Sequence, residues 1–261
     1  MDIRIPILTY HSIDNSGSVI STSPTKFESQ MKYLHDKHFN VISLNKIVKC
    51  IYERQTFPPK SVVITFDDGV KNFYSTAYPV LKEYGFTATV FLVPGYCGRN
   101  NQWDGQPKEI PVMDLLNWEE IREMADNSID FGAHTMNHAN LSRLLADQAR
   151  EEIVNSKQVI QKYLKKDVLL FAYPYGRLTN EIKDIVKNNF SGACSVKLDF
   201  VSLKSDIYTL PRIDMYYFSK NNIFEYIDTP IFYIYIVFRS ILRSIRNKST
   251  VVNKLQLTHN D

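Results

Sequence analysis

The run Val62-Val63-Ile64-Thr65-Phe66-Asp67-Asp68-Gly69 constrains this chain more than any other stretch. Three β-branched apolar residues followed by Thr-Phe are too short a run for a globular helix and suit a buried strand. That strand stops at two adjacent carboxylates. At ~4 Å two such charges repel by about 1 kcal/mol in water and several-fold more when half buried, so a cation or a shared proton must hold them together. Side chains on a strand alternate between faces, so both acids reach one pocket only where the chain turns at Asp68-Gly69, and the glycine permits that turn. Taken alone, the segment also fits an ordinary Asp-Asp-Gly turn.

Partners for a cation lie further along. His134-Thr135-Met136-Asn137-His138 follows a second strand-like run, Ile129-Asp130-Phe131-Gly132-Ala133. Two imidazoles, one carboxylate and an open fourth position make a set that holds catalytic zinc. A histidine pair at this spacing is often a surface accident, but here it ends one strand in a chain where another strand ends in Asp-Asp-Gly. A third strand-like run, Val168 to Tyr173, enters a tight turn at Pro174-Tyr175-Gly176-Arg177. From spacing and ligand preference, one carboxylate of the Asp67-Asp68 pair with His134 and His138 can bind a divalent metal, and which carboxylate does so stays open.

These three motifs, Thr65 to Gly69, His134 to His138 and Phe171-Ala172-Tyr173-Pro174-Tyr175-Gly176, occur in the order found in the NodB-type polysaccharide deacetylases, carbohydrate esterase family 4. The chain resembles that family over roughly residues 5–224. The opening Pro6-Ile7-Leu8-Thr9-Tyr10-His11-Ser12-Ile13 and the closing Leu210-Pro211-Arg212-Ile213 resemble the branch that includes bacterial exopolysaccharide and poly-N-acetylglucosamine deacetylases. The resemblance implies a distorted (β/α)7-type barrel and a metal-dependent N-deacetylase. Its substrate would be an N-acetylated amino sugar of a surface polysaccharide or of a lipid- or nucleotide-linked precursor. By the same resemblance Asp68 joins His134 and His138 on the metal, zinc first with cobalt or manganese as alternatives. Asp67 is then the general base, Tyr175 offers its backbone N–H to the oxyanion, and Tyr173 and Pro174 contact substrate.

The acid that protonates the departing amine usually comes from a Leu-x-His motif late in the chain in this family, yet only His259 follows Tyr175. Leu8-Thr9-Tyr10-His11 instead ends the first strand, which in a closed barrel lies beside the last, and His11 is the expected acid. Ala172 stands where relatives with Arg-Pro-Pro-Tyr carry an arginine that orients the base, and Arg212 has two readings, an approach to Asp67 from another strand in its place or an ordinary surface salt bridge. The Asp-x-x-Asp-Trp motif that buttresses the histidine in relatives is missing. Three alternatives stay open: a small or cyclic amide as substrate, O-deacetylation, and a glycan-binding module with an impaired site.

The rest of the chain supplies the scaffold. Ser23-Pro24 announces a helix with Phe27, Met31 and Leu34 inward. A strand is expected over 40–44, then helices over 45–52 and 72–84, the latter kinked by Pro79, and a strand over 87–93. Asn117 and Glu120 form a capping-box pattern for a helix to Asn127, and further helices are expected over 144–165 and 179–189. This alternation predicts a parallel sheet, and the number of units a barrel, with reactive groups at the C-terminal strand ends. The long irregular segment 94–111 carries Tyr96 and Trp103, an exposed-type pair, with two readings open for Trp103: a platform for a sugar ring, or packing within the loop.

The 261 residues suit one domain; a net charge of +3 with no basic stripe before the C-terminus gives no reason to expect nucleic acid as a partner. Cys50, Cys97 and Cys194 are odd in number and scattered, as in a reducing compartment. Met1 to Arg4 leads directly into a strand with no leader pattern, which predicts a cytoplasmic protein. Residues 1–228 are assigned to the barrel and 229–261 to a C-terminal apolar-basic helix and polar tail. Ile231 to Phe238 is far shorter than the ~20 residues of a membrane span. Followed by Arg239, Arg243, Arg246 and Lys248, it fits a helix in a membrane interface, arginines toward anionic lipid, or a helix packed on the barrel with a basic solvent face. The oligomeric state is not encoded in any pattern found.

Overall fold

The computed structural model describes residues 4–218 and 222–257. In chain order the strands are Ile7–Tyr10 (β1), Ser12–Ile13 (β2), Ser21–Thr22 (β3), Asn40–Val41 (β4), Ser61–Phe66 (β5), Ala88–Leu92 (β6), Ile129–Ala133 (β7), Leu170–Ala172 (β8), Gly192–Cys194 (β9) and Ile213–Asp214 (β10). The helices are Pro24–Asp36 (α1), Leu44–Tyr52 (α2), Tyr78–Glu83 (α3), Trp118–Ala125 (α4), Ala146–Leu164 (α5), Asn180–Asn189 (α6) and Pro230–Leu257 (α7). The strands pair in parallel in the order β10-β1-β5-β6-β7-β8-β9, with β4 added on β5. Cys194 at the end of β9 bridges to Leu210, just ahead of β10, so the sheet curls into a distorted (β/α)7-type barrel.

Alternation along β5 sorts its residues into two cores. Val62, Ile64 and Phe66 pack outward with Phe27, Met31 and Leu81 of the helices. Val63 faces the lumen with Ile7, Phe91, Ala172, Cys194 and Leu210. Each apolar lumen residue excludes water from below the strand ends, where the polar groups begin.

Local signals place the helices. Ser23 Oγ accepts the Lys26 N–H at 3.3 Å, and Ser43 Oγ accepts that of Lys46 at 3.2 Å, which starts α2 at Leu44 and limits the preceding strand to two residues. Asn117 and Glu120 form the reciprocal capping box. The expected helix over 72–84 changes its winding: Phe73–Ala77 forms a π-turn that runs with helical backbone into α3 at Tyr78, and Pro79, which lacks an N–H, follows directly after that turn.

Helix α7 is joined to the barrel core. Phe232 and Ile236 are fully buried, and the Phe232 ring stacks on Phe218 at 5.3 Å. Its outer face exposes Ile231, Ile234, Phe238, Ile241 and Ile245, spaced alternately by three and four residues. No helix among the described residues is long and apolar enough to cross a membrane. The polar end of the tail, from residue 258, lies outside the described residues, His259 included.

Candidate active site

The lumen face of β5 continues from Val63 through the buried Thr65 to Asp67 at the strand end. Strict alternation would turn Asp68 away. Instead Asp68 adopts φ 71° and Gly69 φ 69°, so the chain reverses at once and Asp68 re-enters the same cavity. A left-handed conformation costs a non-glycine residue about 1–2 kcal/mol. Thr135, His138 and Tyr175 share it, at φ 62°, 57° and 57°. Such strain persists where the surroundings over-determine it, as at sites that hold a ligand.

Asp68 Oδ1 lies 3.3 Å from His138 Nε2 and 3.6 Å from His134 Nε2. The oxygen is buried with no hydrogen-bond partner among the described residues, an arrangement that costs several kcal/mol unless something occupies the gap. One ligand atom from each of the three residues lies within 4.8 Å of the others. The far side of each ring is anchored. His134 Nδ1 lies 2.8 Å from the Ala172 carbonyl oxygen, which can only accept, so Nδ1 carries the hydrogen and a neutral His134 offers its Nε2 lone pair to the cavity. Burial lowers the His134 pKa to about 4, which keeps the ring neutral at physiological pH. His138 Nδ1 lies 3.0 Å from the Tyr175 hydroxyl. Burial alone would raise the Asp68 carboxyl, but the facing His138, His11 and His134 hold it well below the usual carboxylate range. A carboxylate and two oriented imidazole lone pairs around an unsatisfied buried oxygen fit a divalent cation.

Asp67 has a different environment. Arg212 precedes β10 and extends past the Thr65 hydroxyl, 3.4 Å from Nη1, to make two 2.7 Å bonds from Nη1 and Nη2 to the two carboxylate oxygens. Its Nε donates to the Ser195 carbonyl at 3.1 Å, and the guanidinium lies over the Phe91 ring. Burial works to raise the Asp67 pKa, and Arg212, His134 and His11 outweigh it, leaving the carboxyl lowered and ionised. His11 Nε2 sits 3.9 Å from Asp67 Oδ2, a quarter exposed toward the cavity. The structure thus brings His11, Asp67, Asp68, His134, His138, Tyr175 and Arg212 to one cavity of about 610 Å³ at the C-terminal strand ends.

Three sequence assignments take a different place. Trp103 is 3% exposed rather than a surface platform: it packs with Val70, Val93 and Leu115 and stacks on the His138 ring at 4.3 Å, bracing that imidazole from behind. The loop it belongs to is tied down on the turn after Gly69, because the Leu116 N–H donates to the Gly69 carbonyl at 2.8 Å, and a covered indole cannot stack on a sugar. Pro174 is buried in the turn after β8 and lies outside the cavity lining. Tyr173 reaches the lining but is fully buried, its hydroxyl donating to the Tyr208 carbonyl at 3.1 Å. A turn residue following an inward-facing strand position points into packing before it can point into solvent.

Several contributors carried no local signal. The Ala172 carbonyl and Ser195 carbonyl act through backbone, which no residue type reveals. Arg239, Arg243 and Arg246 of α7 also line the cavity. Their spacing showed one helix face but not which surface it meets. Arg239 lies over the Tyr217 ring at 4.5 Å, and Arg243 Nη1 donates to the Val196 carbonyl at 2.9 Å, so these two cations face the barrel rather than lipid or open solvent.

Known proteins resemble this chain in sequence and fold. The profile of the polysaccharide deacetylase family matches residues 54–189. YxkH of Bacillus subtilis, whose name carries the same family, is 30% identical over 211 residues, 80% of this chain and 71% of that protein. The poly-beta-1,6-N-acetyl-D-glucosamine N-deacetylase of Staphylococcus aureus is 29% identical over 204 residues, 74% of this chain and 67% of that one. Among solved structures, the Streptococcus pyogenes deacetylase PplD, in complex with acetate, superposes with a TM-score of 0.72 at 26% identity, covering 82% of this chain and 93% of PplD.

Proposed function

This chain belongs to the polysaccharide deacetylase family, and we propose that it removes N-acetyl groups from N-acetylglucosamine-type amino sugars of an exopolysaccharide or its precursor, using a divalent ion. The observation that carries the reading is the division of labour between two adjacent carboxylates. Asp68 Oδ1 is turned toward two imidazoles without a hydrogen bond, while Asp67 is gripped by Arg212. Asp68, His134 and His138 would hold the ion, and zinc best suits two imidazoles, one carboxylate and an open position. Bound there, it would act as a Lewis acid at the scissile carbonyl.

The chain's own residues account for the protons. Asp67 is ionised and buried beside the reacting centre, so it accepts the proton of the attacking water, and Arg212 keeps both its oxygens in place. His11, on the open side of Asp67, donates a proton to the departing amine, which is too basic to leave uncharged. The Tyr175 backbone N–H is assigned to the developing oxyanion. Acetate release from N-acetylglucosamine oligomers by zinc-loaded protein tests the reading: Asp67→Asn should lower kcat by about 10²–10⁴-fold. Undiminished turnover in that variant, or no release from any N-acetylated amino sugar, overturns it.

The outer stripe of α7 supports contact with a membrane surface, since five large apolar residues in 3-4 spacing lie exposed along about four turns.

A further inference from the structure

The inward face of α7 changes character along its length. It begins with Phe232 and Ile236, buried in the core, and continues at helical spacing as Arg239, Arg243 and Arg246 along one wall of the catalytic cavity. If this face served packing alone, its continuation would be apolar or would splay into solvent. Arg239 and Arg243 are instead half buried and held in place, Arg239 by the Tyr217 and Tyr235 rings and Arg243 by the Val196 carbonyl. A guanidinium stacked on a ring keeps its edge donors available, and Arg243 directs one of its five N–H groups to the Val196 carbonyl. Val196 in turn abuts the turn after β8: a Cβ built on Gly176 would meet its side chain, so the arginine wall is mechanically continuous with the Tyr175–Gly176 turn.

The charge around this cavity is unbalanced for a neutral sugar. Four arginines and three carboxylates line it, and the divalent ion would add two more positive charges. With Arg212 already paired to Asp67, the remaining cations repel one another less once a further anion enters, and the effect grows as water is displaced. Arginine's planar fork matches the oxygens of a phosphoryl group in bidentate fashion.

We propose that Arg239 and Arg243, with Arg246 beside them, form an anion subsite, and that the substrate is an N-acetylated amino sugar carrying a phosphoryl group, as a glycosyl phosphate or diphosphate. In a 2-acetamido sugar phosphorylated at C1 the acetamide and the phosphate sit on adjacent ring carbons, so one cavity of about 610 Å³ accommodates both. This rests on the deacetylase reading above and names the substrate class for the same site.

The experiment has two parts. Metal-free full-length protein is titrated with inorganic diphosphate by calorimetry, and R239Q/R243Q should bind it at least about tenfold more weakly while its circular dichroism stays unchanged. Zinc-loaded protein is then given neutral N-acetylglucosamine oligomers, N-acetylglucosamine 1-phosphate, a sugar nucleotide and a polyprenyl diphosphate-linked N-acetylglucosamine in micelles. The wild type should favour at least one phosphorylated substrate by about tenfold or more in kcat/KM, and the double variant should lose that preference; which phosphorylated arm leads identifies the soluble or lipid-linked source. Equal diphosphate binding by wild type and variant, or a preference for neutral oligomers, overturns the subsite. Diphosphate binding that depends on the arginines, with no acetate released from any substrate, retains the subsite and overturns the deacetylase reading instead.

Discussion

Asp67 and Asp68 are neighbours in sequence with different partners because the backbone reverses between them. Asp67 continues the lumen face of β5 and meets a guanidinium; Asp68, in the left-handed region, meets two imidazoles. Replacing Arg212 with Gln removes the bidentate grip without touching Asp68, His134 or His138. We expect kcat to fall by about 10²-fold, with zinc affinity by calorimetry little changed; undiminished turnover would remove Arg212 from the mechanism. The complementary substitution is Tyr175→Phe, which deletes the hydroxyl beside His138 Nδ1 and keeps the ring. Its expected signature is zinc affinity weakened about tenfold in a chelator competition.

At the scale of elements, the turns after the strands carry the geometry and their strain. Gly176 has φ 64°, and a Cβ there would meet Val196 Cγ2 far inside contact distance. Gly176→Ala should therefore cost at least about 1–3 kcal/mol by denaturant unfolding. A remote control is Asn117→Ala, which breaks the capping box of α4 and should cost about 1 kcal/mol with zinc binding preserved. That helix was legible in advance because a capping box is local: four residues state it. The π-turn at Phe73–Ala77 was not: Pro79 signals a kink but not the winding of the turn before it.

Across the whole molecule, α7 connects the outer surface to the cavity. Phe232 is enclosed by Phe218 and Phe200, and Phe232→Ala should destabilise the fold by about 3–5 kcal/mol, read from chemical denaturation. On the opposite face, Ile234→Ser with Phe238→Ser changes only exposed positions. If that face meets lipid, the wild type should sediment with anionic vesicles and the double variant should stay in the supernatant, both remaining folded; equal partition would sink the membrane contact. Placement of the same helix explains why its arginines were assigned to lipid or solvent from sequence: a repeat of three and four residues defines faces, and only the packed barrel decides which face is inside.

Sequence alone determined the strand ends and what they carry. A buried strand needs a continuous apolar run, and a run that stops at Asp-Asp-Gly, or before a histidine pair, marks the rim of a parallel barrel wherever the strands pair. Tertiary structure decided which groups meet there: Arg212 grips an aspartate 145 residues away, Trp103 stacks behind His138 rather than under a sugar, and α7 turns its cations inward. The reason is range. Hydrophobic periodicity and capping act over a few residues, whereas the contacts that hold Asp67, brace the imidazoles and charge the cavity wall arise only when distant segments close the ring.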